Sequence, residues 1–425
     1  MREILENLAE LFDQIDLIWC DNPNEEIYKS ENYQKLIKLF PNLQKIHQKG
    51  LEDNQSEFNR TMKHIFRCFK IYYLLKQGNF EHESLSIESL RIIKQKIEKI
   101  SNLNELFIPL IIMYHDIGRF YDRKTHAYQS SALISNNGLF NRFELSEEER
   151  LLLRKVIEYH LFFPTIYTGE STFFGVISLL NDKEFIKLIQ DKRYITSFID
   201  FLETFTYLDI LGYTYARMFD HYLKYYNEIN LKLKDLLNLW PELKKILSLA
   251  KQYSMEWTDW RLSGALRIFQ FVETKPYLTK AFYYNVLKES IQLEYKKRGQ
   301  KFNWTLIKSN LSNIYKFQMK YALAFLLILA FGQITRMKLT KDQKISPKLM
   351  LFWIYLSEEV NKRKLDNKEV VWNIYFENLP FWADIDQNFI AHLKITTLKS
   401  IIHAAKLKFD EIKKEYNLYL DFDQI

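Results

Sequence analysis

Apolar residues recur along this chain with the period of a helix. Leu5, Leu8, Leu11 and Phe12 fall at three- and four-residue spacing, and His64, Cys68, Ile71 and Leu75 recur at i, i+4, i+7 and i+11, so one helix face carries all four. Leu153, Val156, Ile157 and His160 share a third such face, and Phe198, Phe201, Leu202, Phe205 and Leu208 cover a helix expected over Ile195–Phe219. Local signals divide these stretches. Ser56 reads as an N-cap, Pro109 suits the first turn of its helix, and Ser146 with Glu149 forms a capping box. Gly118 reads as a helix stop, Asn136-Asn137-Gly138 as a break, and Pro164 with Gly169 as the markers of an aromatic loop over Leu161–Thr172. Residues after Leu231 again look helical, with breaks at Pro241, Pro276, Gly299, Pro347 and Pro380. The expectation is an all-α chain in three segments: an N-terminal helical segment over 1–50, a helical bundle over 51–225 and a helical C-terminal region over 226–425.

Composition supports this. The 425 residues include only ten Gly and eight Pro, too few for a turn-dense β architecture, and the 47% hydrophobic content is that of a globular chain. The net charge of +7 is spread over sixty basic and fifty-three acidic residues, which suits anionic small molecules but makes a nucleic-acid partner unlikely. Lys296-Lys297-Arg298 and the basic set Arg336 to Lys348 read as solvated faces. Two cysteines, Cys20 and Cys68, exclude a disulfide framework and suit a reducing cytoplasm, and Met1 to Glu10 lacks the apolar core of a signal peptide. The greasiest run, Tyr321 to Ile334, is shorter than the roughly 20 residues a membrane span needs and is expected to form a buried core helix. No membrane partner is therefore expected.

Candidate chemistry centres on IIMYHDIGRFYDRKTHAYQSS, residues 111 to 131. His115 and Asp116 close an apolar run, Arg119 follows, and His126 opens the next helix. Alone this is weak, since His-Asp pairs are common at helix ends. Its weight comes from the other helices. His64 and His160 point inward among apolar residues. Asp209 falls on an apolar face one turn after Phe205, where an unpaired carboxylate is costly, so it needs a metal or an arginine such as Arg217. A core histidine satisfied by its neighbours is the ordinary alternative for each residue taken singly. Five helical segments each directing such a residue inward is not what a packed core favours, and a metal centre satisfies them together. Imidazole mixed with carboxylate, without thiolate, fits Mn, Fe, Co or Zn, with Mg possible. His47 reads as a surface residue. His392 and His403 are eleven apart, about 16 Å along one helix, too far to share an ion.

The order His … His-Asp … Asp over Ser56 to Tyr225 resembles the HD superfamily of metal-dependent phosphohydrolases. Within it the likeness is nearest to the HD domain of the PII uridylyl-removing enzymes, through LSEEERLLLRKVIEYHL and FTYLDILGY. The chain departs from that pattern in the spacer Phe120 to Thr125, in lacking a nucleotidyltransferase motif beforehand and in showing no alternating strand pattern afterwards. The resemblance implies a two-ion site. His64, His115, Asp116 and Asp209 would hold the first divalent ion, Asp116 would bridge, and His126 and His160 would complete the second. It further implies hydrolysis of a phosphodiester or phosphomonoester, in a nucleotide or nucleotidylated substrate, by attack of a hydroxide that bridges the metals. Asp116 and Arg119 would be the catalytic residues, and Arg119, Arg123 and Lys124 would bind phosphate. Oligomerisation through the C-terminal helices is compatible with this reading. The alternative is a non-enzymatic nucleotide sensor or scaffold built on the same fold.

Overall fold

The computed structural model describes residues 2–22, 24–214, 218–262, 280–332, 346–363, 369–380 and 385–423. Arg217 and most of the basic set Arg336 to Lys348 lie outside them. The chain divides into two compact units. One comprises Met1–Phe163 with Lys187–Lys234, the other Pro164–Ile186 with Asp235–Ile425. These bounds differ from the segments expected at 50 and 225. The first fifty residues belong to the same unit as the helices that follow, because their apolar faces have no other core to enter.

In the first unit those fifty residues hold four helices, more than the one or two expected: α1 (Arg2–Gln14), α2 (Leu17–Asp21), α3 (Glu31–Leu39) and α4 (Gln44–Asp53). Phe12 of α1 stacks on Phe69 with centroids 4.8 Å apart, which fastens α1 to α5 (Gln55–Gln77). The N-cap of α5 is Asn54, whose Oδ1 accepts from the Glu57 N–H, rather than Ser56. The helix closes at Gly78, which takes the left-handed conformation that lets its own N–H and that of Asn79 satisfy the last carbonyls. Then come α6 (Ile87–Ser101), α7 (Phe107–Tyr114), α8 (His126–Asn136) and α9 (Glu147–Glu158). The capping box of α9 forms as expected: the Glu149 N–H donates to Ser146 Oγ at 3.1 Å, and the Ser146 N–H to Glu149 Oε2 at 2.7 Å. Pro164 and Gly169 mark a short helix, α10 (Phe162–Thr168), not a loop. Next are α11 (Val176–Asn181), which with most of α10 belongs to the second unit, α12 (Lys183–Ile189), which begins in that unit, and then, back in the first, α13 (Arg193–Leu211) and most of α14 (Asp220–Asn238). The helix expected to reach Phe219 therefore stops at Leu211. Helices α5, α6, α7 and α9 surround α13, whose residues from Phe201 to Leu211 are all buried.

The second unit is not all helix. With α15 (Leu243–Leu262), α16 (Lys280–Lys297), α17 (Trp304–Asn310), α18 (Leu323–Phe331), α19 (Lys348–Arg363), α20 (Gln387–His392) and α21 (Ile395–Ala404) it holds a four-stranded sheet. The strands are β1 (Phe317–Lys320), β2 (Trp372–Glu377), β3 (Lys406–Asp410) and β4 (Glu415–Asp421), in the order β1-β2-β4-β3. β1, β2 and β4 run parallel, and β3 pairs antiparallel with β4. Trp372, Ile374 and Phe376 alternate into the core, as do Tyr416, Leu418 and Leu420. Phe325 of α18 packs on Phe352, Phe376 and Phe422 at 5.0–5.4 Å, so the greasy run does form a buried core helix over Leu323–Phe331, while its last two residues, 333 and 334, lie outside the described residues. No helix among the described residues is long and apolar enough to cross a membrane. His392 and His403 sit on separate, exposed positions of α20 and α21, and Lys296, Lys297 and Arg298 are exposed.

His47 is not on the surface. It is 1% exposed, its ring packs edge-on against Phe58 and Phe120, and its Nδ1 lies 3.1 Å from the Tyr33 hydroxyl. Helix α4 buries its Ile46–His47 side because α5 covers it, a packing decision that polar flanking residues concealed. Burial pushes the His47 imidazole down to about 3. Its ordinary value of 6.5 applies in the unfolded chain, so unfolding takes up a proton there as the pH falls. The stability this neutral ring allows is complete above about pH 6.5 and is lost progressively between 6.5 and 3. His47→Gln should flatten the fall in stability between pH 7 and pH 5 by up to about 2 kcal/mol, measured by urea unfolding at each pH. An unchanged slope would show that other groups carry the acid sensitivity.

Candidate metal centre

Five segments bring their polar residues to one place inside the first unit. Helix α5 presents His64 on the face that also carries Cys68 and Ile71, buried like it. Helix α7 ends at Tyr114, and His115 and Asp116 follow in a turn that continues as a short 3-10 helix, Ile117–Phe120. Asp116 takes φ −109° and ψ 5°, the sparsely populated bridge region where active-site residues recur. Gly118 does not stop a helix by a left-handed turn as expected. A Cβ there would lie 2.2 Å from the His126 carbonyl and 2.5 Å from the Ser130 nitrogen, so its role is to let α8 approach. Ser130 then locks the junction: its Oγ accepts from the Gly118 N–H at 2.8 Å and donates to the His115 carbonyl at 2.7 Å. This hydroxyl holds His115 and His126 in register.

The side chains form two buried sets, each with ligand-type atoms mutually within 4.8 Å: His64, His115 and Asp209, and Asp116, His126 and His160. In the first, Asp209 Oδ1 lies 2.9 Å from His64 Nε2 and 3.6 Å from His115 Nε2. In the second, His126 Nε2 lies 3.1 Å from Asp116 Oδ1 and 3.3 Å from His160 Nε2. Asp116 Oδ2 is 3.6 Å from His115 Nε2, so this carboxylate turns one oxygen toward each set. All six of the residues named from sequence as metal ligands therefore lie together.

The hydrogen bonds orient three of the imidazoles outward from the backbone. His115 Nδ1 lies 2.9 Å from the Ile112 carbonyl, His126 Nδ1 3.0 Å from that of Arg123, and His160 Nδ1 2.8 Å from that of Ile157. A carbonyl only accepts, so each Nδ1 carries the proton, and in a neutral ring Nε2 then offers a lone pair. The Nε2 atoms of His126 and His160 thus face each other with no proton to share. His115 Nε2 and Asp116 Oδ1 are buried without a hydrogen-bond partner. Lone pairs left converging in this way are costly unless a cation receives them. These His and Asp groups could hold a metal ion.

Protonation agrees. Burial, with Asp116 and Asp209 opposing it, holds His115 below its usual range, and burial beside His126 pushes His160 down to about 3. Burial opposes ionisation of both carboxylates, yet the Arg119 guanidinium keeps Asp116 well below its ordinary range, and the bond from His64 keeps Asp209 low. His64 goes the other way: burial opposes its charging, but Cys68 and Asp209 outweigh this and raise it. The partner of Asp209 is thus His64.

Arg119 spans the rim. Its Nη1 donates to Asp116 Oδ2 at 3.0 Å and to the Tyr213 hydroxyl at 3.2 Å, and its Nε to Glu57 Oε1 at 3.2 Å. Arg123 and Lys124, named with it as phosphate-binding residues, are exposed and do not line the cavity beside the centre. Two residues not found from sequence do matter here. Glu57 and Tyr213 brace Arg119, and Tyr213 also stacks on His64 with centroids 4.0 Å apart. Gly212 is closely packed against Cys68 and His64. The position of Tyr213 directly after the Asp209 helix was the available signal. No protein-family model matches the sequence, and no curated protein or solved structure matches it significantly.

A Cβ on Gly212 would sit 2.2 Å from Cys68 Sγ and 2.8 Å from His64 Cε1. Gly212→Ala should therefore displace His64, costing about 1–3 kcal/mol of stability and weakening metal uptake at least tenfold. Denaturant unfolding and a Mn titration followed by elemental analysis check both effects. An alanine variant with native stability and native metal uptake would show that the turn after α13 yields freely.

Proposed function

We propose that this chain is a metal-dependent phosphohydrolase of the HD type that cleaves a phosphomonoester or phosphodiester bond in a nucleotide-like compound. One observation carries the reading: two buried His/Asp sets share the turn His115-Asp116, with Arg119 held against Asp116 at 3.0 Å. His64, His115 and Asp209 would hold one divalent ion and His126 and His160 the other, with Asp116 between them. A pair of divalent ions there would supply Lewis-acid activation of a phosphate and of water near neutral pH. The chain's own part is to fix the ligands and to place Arg119 where negative charge grows in the reaction. Arg119 is suited to this because Glu57 and Tyr213 hold its guanidinium in place before substrate arrives. The order of the ligands along the sequence and the lone pairs converging at His126 and His160 support the two-ion form of the reading.

The test separates the two sets. The intact protein should take up close to two divalent ions and turn over a generic phosphodiester or phosphomonoester. His126→Ala leaves His64, His115 and Asp209 in place, so one ion should remain. The other should bind 10–100-fold more weakly or worse, and turnover should fall steeply and recover in part at high Mn. Elemental analysis and turnover along a Mn titration read both. No bound ion in the parent protein after reconstitution removes the centre. Two ions without turnover of any phosphoester favour the sensor reading, and unchanged turnover in the variant removes the second ion's role.

A further inference from the structure

The metal centre opens into a cavity of about 260 Å³ lined by residues of α2, α5 and the turn after α13. His64 and Asp116 belong to its wall, so whatever fills it touches the centre. The cations of the wall are already matched. Arg60 pairs with Glu57, Arg67 donates through Nη1 to Asp21 Oδ2 at 2.6 Å, Lys63 Nζ donates to the Asn22 carbonyl at 2.6 Å, and Arg119 rests on Asp116. A second phosphate would bring an anion to a wall whose charges are balanced. An apolar group would take water from these charges and replace none of its hydrogen bonds. The wall suits a neutral group that both donates and accepts.

Thr61 supplies the matching hydroxyl. Inside a helix a threonine commonly donates to the carbonyl four residues earlier. Thr204 and Thr206 on α13 do so, to the Asp200 and Leu202 carbonyls, each at 2.7 Å. Thr61 has the Glu57 carbonyl at that spacing and makes no such bond. It is 2% exposed, it lines the cavity, and its hydroxyl is buried without a hydrogen-bond partner. It stands one turn before His64 on the same helix face. A buried hydroxyl left unpaired is costly, and at the wall of a cavity its partner is one that a ligand brings. The volume lies below the roughly 300–1,000 Å³ of pockets for drug-sized ligands, so that ligand group is compact.

We propose that this cavity receives the part of the substrate beyond the reacting phosphate, and that it selects a compact, neutral, hydroxylated group the size of a glycerol or pentose unit. Thr61 hydrogen-bonds one hydroxyl of that group, and the edges of the matched ion pairs exchange hydrogen bonds with the others. The inference rests on the phosphohydrolase reading for the reacting phosphate, but the subsite itself is made by Thr61 and the α5 wall. An alkyl group in this place leaves the Thr61 hydroxyl unpaired. A second phosphate must displace an existing ion pair to be met. A sugar phosphate does neither, and it keeps its reacting phosphate beside Asp116 and Arg119.

The experiment compares butylphosphonate with dihydroxybutylphosphonate, its two hydroxyls at the end away from phosphorus, by calorimetry on the full chain reconstituted with Mn. The two compounds share charge and carbon skeleton, and their carbon–phosphorus bond is not hydrolysed. The parent protein should bind the dihydroxy compound about five- to tenfold more tightly. Thr61→Val should remove most of that preference by weakening the dihydroxy compound alone, and Thr61→Ser should keep it. Valine removes an unpaired buried hydroxyl, so this variant should unfold thermally no earlier than the parent and hold the same ion content by elemental analysis. Absence of preference in the parent, or a preference that survives Thr61→Val, overturns the subsite. Equal weakening of both compounds also overturns it and assigns the hydroxyl to the phosphate. Earlier unfolding of the valine variant overturns it too, because the hydroxyl would then serve the fold. A preference abolished by valine, with no phosphoester turned over by the parent, would keep the subsite and overturn the phosphohydrolase reading. Phosphoester turnover with no preference would do the reverse.

Discussion

Two carboxylates, Asp116 and Asp209, are ionised inside a helical core at 1% and 5% exposure, and the first unit is arranged around that fact. Isolated buried charge is too costly to persist, so each carboxylate must be met by cations and hydrogen bonds. Asp209 is met by His64 from α5, and Asp116 by Arg119 three residues later in the chain. These demands tie together helices that are distant in sequence. They also explain why α13, the most enclosed helix of the unit, carries a carboxylate on a face otherwise made of Phe, Leu and Ile.

Precision at the centre comes from backbone contacts rather than from the ligands alone. Three histidines are each fixed through Nδ1 to a carbonyl three residues earlier, so their orientation follows from local helix geometry. Ser130 and the bare Cα of Gly118 then set the distance between the His115 turn and α8. Gly212 plays the matching part beside His64. Small residues stand at both close approaches because a methyl group would occupy the space a ligand ring or backbone needs. The arrangement is the usual one for metal sites, in which the supporting hydrogen bonds matter nearly as much as the ligands.

The second unit has its own core and a different logic. Its sheet is closed over on one face by α18, α19 and α21, with Phe325 at the meeting point of Phe352, Phe376 and Phe422. A parallel run of β1, β2 and β4 needs long connections between strands, and the chain supplies them as helices.

The amino-acid order by itself determined most of what depends on neighbours within one helix. The capping box at Ser146, the inward faces of α5, α9 and α13, the buried helix over Leu323–Phe331 and the six ligand-type residues all follow from i, i+3 and i+4 periodicity, which a helix converts directly into a face. The strands carried a weaker signal: Tyr416, Leu418 and Leu420 recur at every second position of EYNLYLD, but five residues at that period are a short stretch amid helical periodicity. What only the tertiary structure decided was set by contacts across long separations. His47 became a core residue because α5 covers α4. His64 rather than an arginine became the partner of Asp209, 145 positions away. Gly118 proved to be a point of close approach rather than a stop, and Gly212 is another such point. Periodicity says which side of a helix is buried; the element that buries it, and hence the chemistry its residues meet, is settled only when the packing is complete.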